Sequence, residues 1–257
     1  MNKIKITCDS TCDLTPELYE KYNVTVTPLE INLGGKYYKD SVDITADKIF
    51  EYVSETGVLP KTAAIATAQY YETFKKYTDE GYSVIHINIS SEFSACFKNA
   101  TNAARELENV YVIDSRNLSS GSGHLVLAAA EMAESGMEAS EIANKLNEIK
   151  EKLDVSFVLQ TLDYLKKGGR CSSIVALGAS ILMLCPEIEV VDGSMRVRRK
   201  YRGRMQKTIT DYIKGRLEGR DDIDTKRIFV THSGVPAEIV EDMKSLVRKL
   251  HPFEEVI

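Results

Sequence analysis

Two nearly continuous apolar segments, separated by a helical pattern, constrain the fold of this chain more than any other feature. They are "SVIHINIS" at 83–90 and "NVYVIDS" at 109–115, and a further strand-like segment, "IKITCDS" at 4–10, lies near the start of the chain. Strands that are apolar along their whole length are typical of a parallel sheet covered on both faces. Helical patterns at 67–81, about 95–107 and 125–136 alternate with these strands. The alternation predicts an α/β/α arrangement.

Shorter patterns lie among these elements. "VTVTPLEINL" at 24–33 is rich in β-branched residues, which predicts one strand. Helices are predicted at 14–22, where Thr15 can cap the first turn, and at 44–57, where Gly57 follows the last turn.

The pattern changes near residue 151, after an amphipathic helix at 140–153. We predict strands at 155–162 and 227–234, a hairpin at 187–203 with Asp192-Gly193 as its turn, and helices at 162–170, 173–184, 204–217 and 237–250. The fold class is therefore α/β with two domains. The N-terminal α/β/α domain has a parallel sheet and spans 1–153, and the C-terminal α/β domain has a mixed sheet and spans 154–257.

Composition excludes several classes of protein. The chain has 257 residues with a net charge of −5, which argues against wholesale nucleic-acid binding. No apolar run reaches the roughly 18 to 20 residues of a membrane-spanning helix. The five cysteines show no zinc-ligand spacing, so we expect reduced thiols and a cytoplasmic location.

Sequence motifs of common enzymes are absent. The chain has no P-loop and no nucleophile elbow, and "GSG" at 121–123 lacks the third glycine of a dinucleotide-binding fingerprint. The four histidines form no local metal pair, and His86, between two isoleucines, is expected to be a core residue. We therefore predict no catalytic residue, no metal and no cofactor.

Hydroxyl side chains are concentrated where the predicted strands end. They are Ser10 and Thr11, Thr62, Ser90, Ser91 and Ser94, Ser115, and Ser119 and Ser120. The carboxyl ends of parallel strands share one edge of the sheet, where ligands bind in open α/β folds. Most of these hydroxyls would be explained by helix capping alone. A hydroxyl beside a helix N-terminus can also hold an anionic head group without a catalytic base.

The segment "SIVALGASILML" at 173–184 is apolar on all sides of the predicted helix. It is either a buried core helix or, because of the small residues Gly178, Ala179 and Ser180, a wall that leaves room for a slim apolar ligand. Periodicity does not separate these alternatives.

Several segments together resemble the DegV family along nearly the whole chain. They are "CDSTCDL", "LPKT" at 59–62, "ISSEFSACFKNA" at 89–100, "VYVIDS" at 110–115, "LDYLKKGGR" at 162–170 and "VDGSMRVRRKYRGRMQK" at 191–207. DegV-like proteins are bacterial fatty-acid-binding proteins with an EDD-type fold. The resemblance implies that a long-chain fatty acid such as palmitate lies in an apolar tunnel between two α/β domains. It also implies that the chain presents the carboxylate to a separate fatty acid kinase, which makes an acyl-phosphate.

The resemblance also implies roles for individual residues. Thr62 and Ser94 match the residues that hydrogen-bond the carboxylate, and Arg170 and Arg202 match positions near the head group or the kinase-docking face. Ser10, Ser91 and Ser119 are secondary head-group candidates because they lie at the same predicted sheet edge.

Three segments differ from the usual family pattern. "TAAIA" replaces T-S-Q-P-S and keeps only Thr62, and "FSACF" replaces L-S-G-T-Y and keeps Ser94. A C-terminal H-T-G-P-G segment, whose histidine helps to bind the head group, does not occur up to Ile257. We expect either a simplified head-group site or a chain that continues further.

Two other functions stay open from the residues alone. Ser94 or Cys96 would be the nucleophile of a hydrolase or transferase, since a thiol in the first turn of a helix can have a lowered pKa. The basic stretch "RVRRKYRGR" at 196–204 would serve a weak nucleic-acid-binding module, although a kinase-docking or solvated strand suits it better.

Overall fold

The computed structural model describes residues 3–172 and 184–257 of the chain. The chain forms two compact units, of which one comprises Met1–Val155 with Val190–Ser194 and the other comprises Ser156–Glu189 with Met195–Ile257. The predicted domain boundary between residues 153 and 154 stays a prediction, because compactness does not test whether either part folds alone.

Strands and helices alternate through the first unit. In chain order they are β1 (Lys3–Asp9), α1 (Pro16–Lys21), β2 (Thr25–Thr27), β3 (Glu30–Leu33), β4 (Lys36–Lys39), α2 (Ala46–Thr56), β5 (Lys61–Ala63), α3 (Thr67–Asp79), β6 (Tyr82–Asn88), α4 (Cys96–Ala104), β7 (Val110–Asp114), α5 (Ser120–Glu134) and α6 (Ala139–Ile149). The helices predicted at 14–22 and 44–57 are confirmed. Thr15 accepts a hydrogen bond from the Leu18 backbone N–H at 3.4 Å, and Gly57 ends α2 with φ +68°.

A parallel sheet with strand order β2-β1-β6-β7 forms the centre of this unit. In the central pair, Ile6 lies opposite Ile85. Residues 84–88 are buried without exception, since α3 and α4 pack together against β6 while α5 and α6 also pack against it. The predicted parallel sheet with covered faces is confirmed.

The single strand predicted at 24–33 is wrong. The segment forms β2 and β3, which belong to different sheets. Pro28 lies between them, and proline has no backbone N–H to continue a ladder of hydrogen bonds. β3 instead pairs antiparallel with β4 and β5, which the sequence analysis did not predict. This small sheet buries Ile31 and Leu33 against α2.

Antiparallel and short parallel pairing characterise the second unit. Its elements, together with the strand that leads into it, are β8 (Val155–Val158), α7 (Asp163–Gly168), β9 (Leu184–Val191), β10 (Ser194–Arg202), α8 (Met205–Leu217), β11 (Arg227–Ile228), α9 (Ala237–Leu250) and β12 (Glu255–Val256). β8, β9 and β10 form one sheet, and β11 pairs parallel with β12. This mixed α/β structure confirms the fold class.

The predicted hairpin is confirmed as β9 and β10. Asp192 and Gly193 form its turn with φ values of +51° and +79°, which suit an Asp-Gly turn of type I′. The strand predicted at 227–234 is shorter than expected, although a hydrogen bond of 2.8 Å from the Val230 N–H to the Ile257 carbonyl extends its pairing.

The apolar helix predicted at 173–184 lies outside the described residues, apart from Leu184, which begins β9. Within residues 3–172 and 184–257, no helix combines the length and the apolar character needed to cross a bilayer.

Candidate functional site

The loops after β1, β6 and β7 meet at one edge of the parallel sheet. The Ser90 N–H donates to the Asn117 carbonyl at 2.8 Å, and the Ser91 N–H donates to Asp114 Oδ1 at 3.2 Å. The Ile89 N–H donates to Asp9 Oδ2 at 2.9 Å. These bonds tie the loops to one another, so the predicted cluster of strand-end residues is present as a connected edge.

A buried carboxylate, Asp9, lies beneath this edge. Its Oδ1 accepts hydrogen bonds from the Tyr70 hydroxyl at 2.6 Å and from His86 Nε2 at 3.2 Å. The Asn88 amide lies 3.2 Å and 3.1 Å from the two carboxylate oxygens. All four side chains are fully buried. A buried charge is tolerated when several donors surround it, and Asp9 meets this condition.

His86 is a core residue with both ring nitrogens paired, as expected. Its Nδ1 lies 2.7 Å from the Thr7 hydroxyl, and its other nitrogen faces Asp9. The ring also contacts Tyr70 edge-on, with centroids 5.1 Å apart. His86 is therefore already engaged and does not face Ser94 as a base.

Tyr70 and Asn88 were not predicted from the sequence to belong to this network. One signal was present, because His86 and Asn88 are polar residues two positions apart on an otherwise apolar strand and so share one face. Tyr70 gave no such signal, since an aromatic residue on α3 is equally expected in an apolar core. The structure places its hydroxyl on that same face.

Ser94 lies just before α4 and is half-buried. Its Oγ accepts a hydrogen bond from the Cys96 N–H at 3.2 Å and donates to Cys96 Sγ at 3.1 Å. The first bond satisfies a backbone group at the start of the helix. The second bond is weak because a thiol sulfur is a poor acceptor. The Ser94 proton is therefore available to a better acceptor.

The alternative in which Cys96 has a lowered pKa is wrong. Burial raises the pKa of the Cys96 thiol, and the nearby Asp9 charge raises it further. The side chain is fully buried. A thiol that keeps its proton and has no access to solvent is not an activated nucleophile.

Thr62 lies on β5, opposite Ile31, and is exposed. Three residues later, the Ile65 carbonyl accepts a hydrogen bond from the Asn99 side chain of α4 at 2.8 Å. The segment that follows Thr62 is thus fixed against the helix that follows Ser94. The structure brings the two predicted carboxylate ligands into segments tied to the same helix.

The secondary candidates differ in their free hydrogen-bonding capacity. Ser10 is buried, donates to Asp40 Oδ2 at 2.6 Å and accepts from the Leu29 N–H at 3.2 Å, so its hydroxyl already supports the fold. Ser91 is exposed at the sheet edge. Ser119 precedes α5 with φ +49° and makes no side-chain hydrogen bond to the start of that helix. Their roles as head-group ligands stay predictions.

The two arginine candidates lie in the second unit and are exposed. Arg170 follows the glycine pair that ends α7, and its Nη1 donates to the Gly168 carbonyl at 2.5 Å. Arg202 is the last residue of β10. Two other basic residues of this strand are matched by carboxylates of β9, since Arg196 pairs with Glu189 at 2.7 Å and Arg198 with Glu187 at 3.3 Å.

Among the described residues, no three or more His, Cys, Asp or Glu side chains are grouped so as to hold a metal ion. None of the five cysteines, all of which are described and buried, forms a disulfide. The observed candidate site is therefore a set of hydroxyl and amide donors.

A parallel α/β/α unit with hydroxyls along its strand-end edge, followed by a smaller mixed α/β unit, defines a two-unit α/β protein with a polar strand-end site. The chain belongs to the DegV family, since the family model, described as an uncharacterised protein of the DegV family, matches residues 3–257.

Relatives of known sequence and structure agree with this assignment. A DegV domain-containing protein of Clostridium perfringens is 38% identical over 243 residues, which are 94% of this chain and 83% of the relative. The fold is similar to that of a fatty-acid-binding DegV family protein from Thermus thermophilus, with a TM-score of 0.87, 28% identity and coverage of 99% of this chain and 91% of that one. It is also similar to a stearic-acid-binding protein from Eubacterium ventriosum, with a TM-score of 0.84, 27% identity and coverage of 97% and 87%.

Proposed function

We propose that this protein binds a long-chain fatty acid in an apolar tunnel and presents its carboxylate to a separate fatty acid kinase. The observation that carries the proposal is the Ser94 hydroxyl at the start of α4. It donates its only hydrogen bond to the sulfur of Cys96, at 3.1 Å. Family membership and the fatty acids named for similar structures support the same ligand.

The chemistry of the head-group site suits a carboxylate. Ser94 and the exposed Thr62 each offer one O–H donor to the two carboxylate oxygens. α4 begins at Cys96, and the positive end of a helix favours a nearby anion. The proposed ligands neutralise the loss of hydration around one carboxylate, and no side chain has to react.

The affinity would come from the acyl tail. Burying a sixteen-carbon tail is worth about 0.8 kcal/mol per methylene, or about 12 kcal/mol in total before the cost of association. This free energy of burial far exceeds the free energy of the hydrogen bonds at the head group. The hydroxyls therefore orient the ligand, while the tail retains it.

Presentation to a kinase requires an accessible surface of matching charge. Arg202 is exposed, and no hydrogen bond or ion pair of its side chain is present among the described residues. An arginine side chain binds phosphate through two parallel hydrogen bonds. We assign Arg170 and Arg202 to the kinase-facing side, and we place the protein in the cytoplasm, where thiols without disulfides stay reduced.

The competing functions have less support. A hydrolase would need an activated nucleophile, but the pKa of Cys96 is raised by burial, and Ser94 has no hydrogen bond to a histidine or carboxylate among the described residues. A nucleic-acid-binding surface would need a continuous run of free cations, but Arg196 and Arg198, within the basic stretch 196–204, pair with Glu189 and Glu187.

Identification of the bound lipid tests the proposal directly. The purified protein is denatured, the released lipids are identified by mass spectrometry, and the delipidated protein is titrated with palmitate. We expect a long-chain fatty acid in the extract and saturable binding of palmitate. An extract without acyl chains, together with no binding of added palmitate, would refute the proposal.

A further inference from the structure

The turn of the β9–β10 hairpin packs against the loops at the strand-end edge of the parallel sheet. Residues Val190–Ser194, which include this turn, belong to the first compact unit, although most residues of both hairpin strands belong to the second. The Ser90 hydroxyl donates a hydrogen bond to the Gly193 carbonyl at 2.8 Å. Arg116 Nη2 lies 4.0 Å from Asp192 Oδ1. The turn is therefore anchored on the loop after β6 and on the loop after β7.

Ser90 closes the loop that carries Ser94. Its side chain is fully buried, and its hydroxyl oxygen also accepts a hydrogen bond from the Glu92 N–H at 3.3 Å. Its carbonyl accepts from the N–H groups of Phe93 at 3.0 Å and Ser94 at 3.3 Å. Because a hydroxyl has one proton and that of Ser90 is donated to Gly193, Ser90 has no proton to offer a carboxylate. Ser90 is therefore a support of the loop and not a ligand of the head group.

Gly193 fits this contact because it has no side chain. Its φ is +79°, in the left-handed region that glycine adopts without steric cost. A Cβ atom at this position would lie 2.8 Å from Ser90 Oγ, whereas atoms that do not share a hydrogen bond pack at about 3.5 to 4.0 Å. A side chain at position 193 would therefore displace the Ser90 hydroxyl from its two hydrogen bonds.

We propose that Ser90 and Gly193 are positioning residues, which set the Ser94 hydroxyl in place for the fatty acid carboxylate without touching the ligand. This inference rests on the proposed function. A ligand-binding hydroxyl needs a defined distance and angle, which supporting hydrogen bonds behind it maintain. The Ser90 carbonyl holds the Ser94 backbone, and the hairpin turn, 103 positions from Ser90, holds the Ser90 side chain. The place of Ser94 thus depends on a distant turn.

Gly193→Ala tests this inference by adding one methyl group. We expect palmitate affinity to fall about tenfold, the size of a lost hydrogen bond to a charged group. Gly81→Ala is the matched control, because Gly81 has φ +81° and a Cβ atom there would have nothing within 4 Å among the described residues. It introduces the same backbone strain without the contact to Ser90, so it should keep full palmitate affinity. An equal loss of affinity in both variants would overturn the proposal.

Ser90→Ala removes the hydroxyl without adding an atom, so it tests the proposal even where Gly193→Ala does not fold. We expect a loss of palmitate affinity of about tenfold here as well. In the Ser90→Ala background, the methyl group of Gly193→Ala no longer meets an oxygen, so the double variant should bind about as weakly as either single variant. Undiminished binding by Ser90→Ala would overturn the proposal, and so would independent losses that multiply to about one hundredfold.

Hexadecanol separates positioning of the head group from general support of the fold, since it has a sixteen-carbon chain like palmitate but no charge. In Gly193→Ala and Ser90→Ala, palmitate should lose more affinity than hexadecanol, because hydrogen bonds to charged groups are the stronger ones. The NMR shift of the labelled carboxyl carbon of palmitate should change in these two variants and stay as in the wild type in Gly81→Ala. An equal loss of affinity for both ligands would overturn the positioning role and leave the proposed function intact. A wild-type protein that binds no palmitate would instead refute the proposed function itself.

Discussion

Ser94 serves two chemical needs with one oxygen. Its lone pair satisfies the Cys96 N–H at the start of α4, which is the work of a helix cap, and its proton is spent on a weak acceptor. Capping acts on the free energy of unfolding, whereas hydrogen bonding to a ligand acts on affinity. The two roles are therefore separable by measurement at a single residue.

Replacing Ser94 with alanine should weaken fatty acid binding without unfolding the protein. Loss of a hydrogen bond to a charged group costs about 1.5 to 3 kcal/mol in affinity, and loss of the cap costs about 1 kcal/mol of stability. Palmitate titration and thermal melting of the same preparation measure both. Unchanged affinity with a lowered melting temperature would leave Ser94 as a cap alone.

Two buried thiols make the free energy of unfolding depend on pH in the alkaline range. The pKa of Cys12 is raised by its hydrogen bond with Cys8 and by burial, and that of Cys96 is raised by burial and the Asp9 charge. In the unfolded chain, both thiols ionise near their ordinary pKa of 9.0. Because the unfolded state then binds fewer protons than the folded state, stability present below that pH is lost as the pH rises through the folded pKa values.

We expect the free energy of unfolding to fall above about pH 9 by up to about 1.4 kcal/mol per pH unit for each thiol. Urea unfolding in reducing buffer at several alkaline pH values measures this slope. Cys96→Ala removes one titrating group and should make the slope shallower. A free energy that stays constant through this range would contradict the argument.

At the scale of single elements, the arginines of the β9–β10 hairpin differ in ion pairing along the length of β10. Near its turn, the arginines of β10 face carboxylates of β9, with Arg196 on Glu189 and Arg198 on the buried Glu187. Arg202, at the far end of β10, has no such partner among the described residues and is exposed. The two ion-paired arginines therefore lie toward the turn, and Arg202 lies at the opposite end of the strand.

Arg202→Ala should leave the fatty acid content and the melting temperature nearly unchanged but abolish acyl-phosphate formation in a reconstituted kinase assay. The reason is that an exposed arginine adds little to the fold, while its planar side chain suits a phosphate-bearing partner. Arg196→Ala is the control, since Arg196 is also on β10 but is paired with Glu189. Full activity of Arg202→Ala would remove this residue from the functional set.

Elements whose partners lie close in sequence, or whose pattern is long, were predictable. The helices α3, α5 and α9, the apolar strands β6 and β7, and the hairpin turn all follow from periodicity and turn chemistry. β5 and β12 were missed because strands of two or three residues carry no periodicity and exist only through distant partners. The role of Tyr70 was also missed because its partner is distant, since its hydroxyl hydrogen-bonds Asp9 across 61 positions.

For the whole molecule, the proposed ligand should contribute to stability. A fatty acid that binds the folded state and not the unfolded chain stabilises the protein by mass action. The protein would therefore show its highest stability only when the ligand is bound.

Removing the bound lipid should lower the melting temperature, and adding palmitate should restore it. At a free ligand concentration one hundred times the Kd, the expected gain is about 2.7 kcal/mol. Differential scanning calorimetry of the delipidated and reloaded protein measures it, and a short-chain acid such as acetate is the control that should give no gain. Equal melting temperatures with and without palmitate would contradict binding to the folded state.

The distance along the chain between Asp9 and its hydrogen-bond donors delays formation of this network during synthesis. Tyr70, His86 and the Ile89 N–H follow Asp9 by 61, 77 and 80 positions. At about 5 to 20 residues per second, a ribosome needs about 4 to 16 s to synthesise the 80 residues from Asp9 to Ile89. During most of this interval, β1 lacks its central neighbour β6 and the groups that donate hydrogen bonds to Asp9 in the folded protein. The parallel sheet can therefore form only after β6 has left the ribosome. Until then, β1 is unpaired on that side and can be bound by a chaperone.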